Sequence, residues 1–130
     1  MKDSYLKITA TSWITETVDI DRSRFCDEIH RLINCDVWEG VPFHVDGIGS
    51  FYMILDENGK ISEPPKPFNP IATFLYNNRY DVIVGDVIVC ELKYVPSDEP
   101  GIEEELDCCP IEPAKLYALL EHIRKAVSGE

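Results

Sequence analysis

The chain reads as an α+β domain, a mostly antiparallel sheet of five or six strands with three helices that opens strand, strand, helix, strand as in a β-grasp arrangement. Three observations predict this. Two adjacent segments near the N-terminus alternate apolar and polar residues with a period of two, and an amphipathic helical stripe follows them. A long Val/Ile run, Val82-Ile83-Val84-Gly85-Asp86-Val87-Ile88-Val89, has the unbroken apolar character of a central strand covered on both faces.

Taking the elements in order, residues 5–11 set Leu6, Ile8 and Ala10 against Tyr5, Lys7 and Thr9, which marks a half-buried strand. Residues 13–20 place Ile14, Val18 and Ile20 opposite threonines, so the pair predicts a hairpin. Asp21 can cap a helix in which Phe25, Ile29, Leu32 and Ile33 share one face. Cys35 to Glu39 is expected to be a short strand and Gly40-Val41-Pro42 a turn. Phe51 to Leu55 is a strand, and Asn58-Gly59 predicts a tight hairpin returning at Ile61. Glu63-Pro64-Pro65-Lys66-Pro67 should be extended, since proline fixes φ and restricts the residue before it. Asn69 followed by Pro70 is a helix start, a side-chain cap and then a ring where no amide donor is needed. Val82 to Val95 follows as a strand interrupted at Gly85. Pro113 opens a last helix, 113–127, with Leu116, Leu119, Leu120, Ile123 and Val127 on one stripe.

At 130 residues the chain fits one domain, with a core at 5–95, an acidic loop at 96–112 and the C-terminal helix. The loop is expected because Asp98, Glu99, Glu103, Glu104, Glu105, Asp107 and Glu112 fall there without a basic residue, among prolines, and so bury too little apolar surface to offset ordering. The formal charge of −12 opposes nucleic-acid binding, which is built from Lys and Arg neutralising phosphates. It suits contact with a basic protein surface. The five cysteines are odd in number and irregularly spaced, which points to a reducing compartment; with no long apolar run and no signal-like N-terminus, a cytoplasmic protein is expected.

Motifs that could carry chemistry are incomplete. Asp56-Glu57-Asn58-Gly59-Lys60-Ile61 resembles the middle of a calcium loop, but Ile54 and Pro65 stand where the first and bidentate ligands belong. Cys26, His30 and Cys35 lack a second pair of zinc ligands, and Cys26 reads as a buried thiol at an apolar position of the helix; the thiolates of Cys108 and Cys109 are expected to be disfavoured by neighbouring carboxylates. Cys35, His44 and Asp46 supply a nucleophile, base and acid without a sign of an oxyanion hole. Neither catalytic residues, a metal nor a cofactor is therefore expected. The acids Asp98, Glu99, Glu103, Glu104, Glu105 and Asp107 are the candidate partner-binding residues. Asn69, Thr73, Asn77, Asn78 and Arg79, clustered on one short helix and its exit, are the alternative, a ligand site for a small nucleotide. No membrane partner is expected, and a homo-oligomer is compatible with this reading.

The succession Asp56-Glu57-x-Gly59-Lys60-Ile61, Asn69-Pro70-x-Ala72-Thr73 and Ile83-Val84-Gly85-Asp86-Val87 resembles a family of small domains of unknown function encoded by phages and conjugative elements of Gram-positive gut bacteria. The likeness runs from about Tyr5 to Leu92, and the acidic loop and last helix look like additions to it. What it implies is context: an accessory protein of a mobile element, acting in the host cytoplasm as an anti-defence inhibitor that binds a host protein, or as a sponge for a nucleotide-derived immune signal. It assigns no catalytic role to any residue.

Overall fold

The computed structural model describes residues 3–129. A six-stranded, wholly antiparallel sheet lies between helices on both faces. Strands β1 (Ser4–Ile8) and β2 (Thr15–Asp19) form the first hairpin, and a 3-10 turn at Arg22–Arg24 leads into helix α1 (Phe25–Ile33). Strands β3 (Trp38–Val45) and β4 (Gly49–Asp56) form the second hairpin, followed by helix α2 (Pro70–Tyr76). Strands β5 (Val87–Pro96) and β6 (Glu104–Cys109) form the third, and helix α3 (Pro113–Ser128) ends the fold.

β5 is the hub. Val87 to Val89 pair with β1, Glu91 to Pro96 pair with β6 on the same edge, and β4 takes the opposite edge, giving the order β2-β1-β5-β4-β3 with β6 continuing the line of β1. The Ile111 amide donates to the Ser4 carbonyl at 2.8 Å and splices those two strands. Side chains alternate as the pleat requires. Leu6, Ile8, Phe51, Met53, Val87 and Val89 meet Ile71, Ala72 and Leu75 of α2 and Leu119 and Ile123 of α3. Tyr5, Ile54, Ile88 and Cys90 face Ile29 and Ile33 of α1. The central strand predicted from the Val/Ile run is thus covered on both sides, although it starts at Val87 and not Val82. Gly85, at φ +78°, and the isolated Phe68–Val84 bridge form a separate bend before it.

Four local expectations are corrected. Gly40-Val41-Pro42 is no turn but the middle of β3, opposite Ile54, Met53 and Tyr52. β3 is an edge strand, where the missing proline amide breaks no ladder, and the Tyr52 ring fills the space above Gly40, so a Cβ there would lie 1.8 Å from it. Ile61 does not start a return strand: β4 is already paired on both edges, and residues 57–62 form a compact turn in which Asp56 Oδ1 accepts the Asn58 amide at 2.9 Å. The acidic stretch 96–112 is only partly a loop, because Glu104–Cys109 is strand β6; β5 offers an unoccupied edge there, and ladder hydrogen bonds order residues whose own burial is small. Cys26, expected inside α1's apolar face, is exposed.

Two polar clamps hold the layers together. Buried Asn69 donates through Nδ2 to the carbonyls of Ile8 at 3.1 Å and Gly85 at 2.9 Å, while its Oδ1 accepts the Ala72 amide and caps α2. Lys66 Nζ meets the carbonyls of Ile33 and Asn34 and the Asp56 carboxylate at 2.8 Å, closing the C-terminus of α1, where a cation favours the helix dipole.

Candidate functional site

The acids singled out from the sequence lie on the β5–β6 hairpin. Its turn is ordered: the Ser97 amide donates to the Glu103 carbonyl, Ser97 Oγ accepts the Glu99 amide, Ile102 N–H reaches the Glu99 carbonyl, and Gly101 takes φ +85°. Asp98, Glu99 and Glu103 ride on this turn, and Glu104, Glu105 and Asp107 on β6. All but Asp107, which is half-buried and bound to Arg22 at 2.9 Å, are exposed.

Tyr94 and Leu106 face each other across the ladder, 69% and 57% exposed, with exposed Ile102 at the turn. They make an apolar pair on one face of the hairpin, with Glu104 on that face and the acidic turn next to it. Reading 96–112 as a solvated loop hid Leu106 and left Tyr94, already placed in the strand, without a partner; the signal available was the Pro100-Gly101 turn pair between two extended segments.

The Pro96–Ser97 junction also fixes which backbone groups face outward. Because Ser97 donates to Glu103, the hydrogen-bonded pairs are Val95–Glu105 and Lys93–Asp107, and the alternate residues Glu104, Leu106 and Cys108 point their amides and carbonyls away from β5. Asp107 Oδ1 takes the Cys108 amide at 2.9 Å. The hairpin base is anchored by Glu91, 1% exposed, which accepts the Glu112 amide at 2.9 Å and the Lys115 ammonium at 2.8 Å. Burial pushes its carboxyl up, but those two donors outweigh burial and hold it below the ordinary glutamate value.

Beside Glu91 stand three cysteines. The Cys90 thiol bonds to Cys108, pulling Cys108 below the ordinary thiol value despite its own burial and the Asp107 charge. Cys109 goes up, chiefly through burial. The expectation that carboxylates would disfavour both thiolates holds in direction for Cys109, where burial leads and the Asp107 charge adds, and is reversed at Cys108 by its interaction with Cys90.

The alternative ligand residues do not converge. Asn69 is consumed as described, and Thr73 Oγ1 accepts the Ile83 amide at 2.9 Å. Asn77 closes α2 in the left-handed region, Asn78 holds the Tyr80 amide, and Arg79 lies against the Tyr80 ring and hydroxyl. Of these, Asn77 lines a cleft of about 380 Å³ with His44, Asp46, Phe74 and His122. A second cleft, about 500 Å³, has Cys35, Asp36, Asp56 and Lys66 in its wall. Both reach the size of small-molecule sites, but the second is acidic and its lysine already serves three acceptors.

The residues considered for nucleophilic catalysis are likewise apart. Cys35 belongs to the α1 face and lines one cleft, while His44 and Asp46 line the other, 3.5 Å from each other. Burial pushes the Cys35 thiol up, away from a reactive thiolate. Among the described residues no group of three or more His, Cys, Asp or Glu side chains could hold a metal ion, and no helix is long and apolar enough to cross a membrane.

No family model matches the chain, and neither the curated proteins nor the solved structures contain a match.

Proposed function

We propose that the protein is a non-enzymatic binding module whose β5–β6 hairpin docks on a basic surface of a partner protein. One observation carries this reading: an ordered hairpin presents the exposed Tyr94–Leu106 pair with Glu104 on the same face, next to a turn that carries exposed Asp98, Glu99 and Glu103, while Glu105 projects from the opposite face. Aromatic and aliphatic anchors supply most of the energy of such contacts, while surrounding charges steer the encounter and reject wrong partners. In the mobile-element context that the family resemblance implies, the partner is a host defence or regulatory protein, and binding inhibits it in the cytoplasm. Nucleotide sequestration finds less support, since Asn69 and Thr73 spend their side chains on backbone groups.

The test is a pull-down from host lysate with three baits: wild type, Tyr94→Ala, and a variant with Glu103, Glu104 and Glu105 all changed to lysine. A partner held by wild type should be lost by the lysine variant. It should bind Tyr94→Ala about tenfold more weakly, and its affinity for wild type should fall as salt rises. Equal capture of the same proteins by all three baits contradicts the proposal.

A further inference from the structure

At the opposite end of the molecule from the acidic hairpin, the β1–β2 turn holds Trp13 at φ +56°, 57% exposed. That backbone region is unfavourable for a bulky residue, and such a conformation persists only where its surroundings impose it. Here they do. The Thr9 amide donates to the Ile14 carbonyl at 2.9 Å, Thr9 Oγ1 accepts the Ile14 amide at 3.3 Å, and the Thr9 and Ser12 hydroxyls meet at 2.8 Å. The turn is braced to display its indole.

Trp13 stands beside an apolar groove of about 150 Å³ whose walls include Ile71 and Phe74 of α2 and Ile123 and Val127 of α3. The groove is smaller than the roughly 300–1,000 Å³ of a small-molecule site and suits a side chain. Trp13, Phe74 and Val127, all in the groove wall, are each about half exposed, and together they offer roughly 300 Å² of apolar surface, the size of patch that marks an interaction site.

We infer that this pole is a self-association surface on which two copies of the chain pack in a two-fold dimer. Area and charge select this occupant. In an isologous contact the patch is counted twice, which with its walls approaches the roughly 1,000 Å² where specific interfaces begin. Two chains of charge −12 repel over most of their surfaces, but the carboxylate cluster of the β5–β6 turn lies at the far end of ten-residue β5. That distance is about 33 Å, beyond the Debye length of about 8–10 Å. The wall beside Trp13 instead carries Arg124, balanced by Glu121 at 3.2 Å, so contact there does not bring carboxylate clusters face to face. The dimer would point its two acidic hairpins outward, making the molecule bivalent.

Sedimentation velocity on the full chain tests this, at about 50 μM and in low and high salt, with wild type, Trp13→Gly and Val127→Arg; a contact of this size should form in the micromolar range. Wild type should sediment at twice the 14.8 kDa chain mass and associate more tightly as salt rises. Both variants should be monomers with unchanged far-UV circular dichroism. Trp13→Gly, which also relieves the backbone, should not melt more than about 5 °C below wild type when both are dilute monomers. A monomeric wild type at every concentration, or dimers in both variants, overturns the inference. So does a foreign protein captured by monomeric wild type and lost by Val127→Arg. Retention of the basic partner by Val127→Arg separates this surface from the acidic hairpin.

Discussion

Glu91 carries more structural consequence than any other charged side chain of the described core. Its carboxylate ties the base of β6 to the first turn of α3 through the Glu112 amide and Lys115. Because its folded value lies below the ordinary 4.5, its contribution is present in full above that pH and is lost as pH falls through the folded value. Glu91→Gln should therefore cost about 1–2 kcal/mol at pH 7, less than a fully enclosed pair would, because Lys115 stands partly in water. The deficit relative to wild type should shrink below pH 4.5, which urea titrations across the acid range would reveal. A constant deficit from pH 7 to pH 3 would assign the effect to packing. The glutamate was visible in the sequence only as a polar residue in an apolar strand; its partners come from a segment about twenty residues away, which no local pattern links to it.

At the scale of elements, α2 shows how a seven-residue helix survives. Isolated helices of this length are unstable, and this one depends on its cap and on Ile71, Ala72 and Leu75 in the core. Asn69 does more than cap, since the same amide ties β1 to the bend at Gly85. Asn69→Ala is expected to cost about 2–4 kcal/mol, the loss of a cap together with two buried carbonyls left unpaired. Asn69→Asp should keep the cap and forfeit the two donated bonds. Chemical denaturation of the three proteins would separate the contributions; a loss below about 1 kcal/mol for alanine would mean that the carbonyls find other donors. The cap was legible from Asn69-Pro70 alone. The second task was not, because it depends on Ile8, sixty-one residues earlier. The same limit explains the missed β6, whose order comes from the edge of β5 and not from its own composition.

At the scale of the whole molecule, a dense group of exposed carboxylates on one hairpin stands opposite bare apolar side chains at the other end. A net charge of −12 on so small a fold opposes compactness through self-repulsion. Salt should accordingly raise the melting temperature by a few degrees between about 0.05 and 0.5 M, while it weakens attachment to a basic partner. A melting temperature that falls with salt would show that exposed ion pairs such as Lys60–Asp81 and Arg22–Asp107 outweigh the repulsion. Those pairs are individually weak in water.

The α+β class, the three helices with the starts of the second and third, the hairpin at the N-terminus and the central strand followed from the sequence alone, whereas Asp21 caps the 3-10 turn before α1 and α1 itself begins at Phe25. Each rests on periodicity, caps and prolines that act within a few residues. The tertiary structure alone decided that Glu104–Cys109 would join the sheet, that Gly40-Val41-Pro42 would run straight along an edge, and that Tyr94 and Leu106 would meet beside the acidic turn. Strand pairing satisfies backbone groups against a distant segment, so a stretch that reads as loop by its side chains becomes strand when a vacant edge lies beside it.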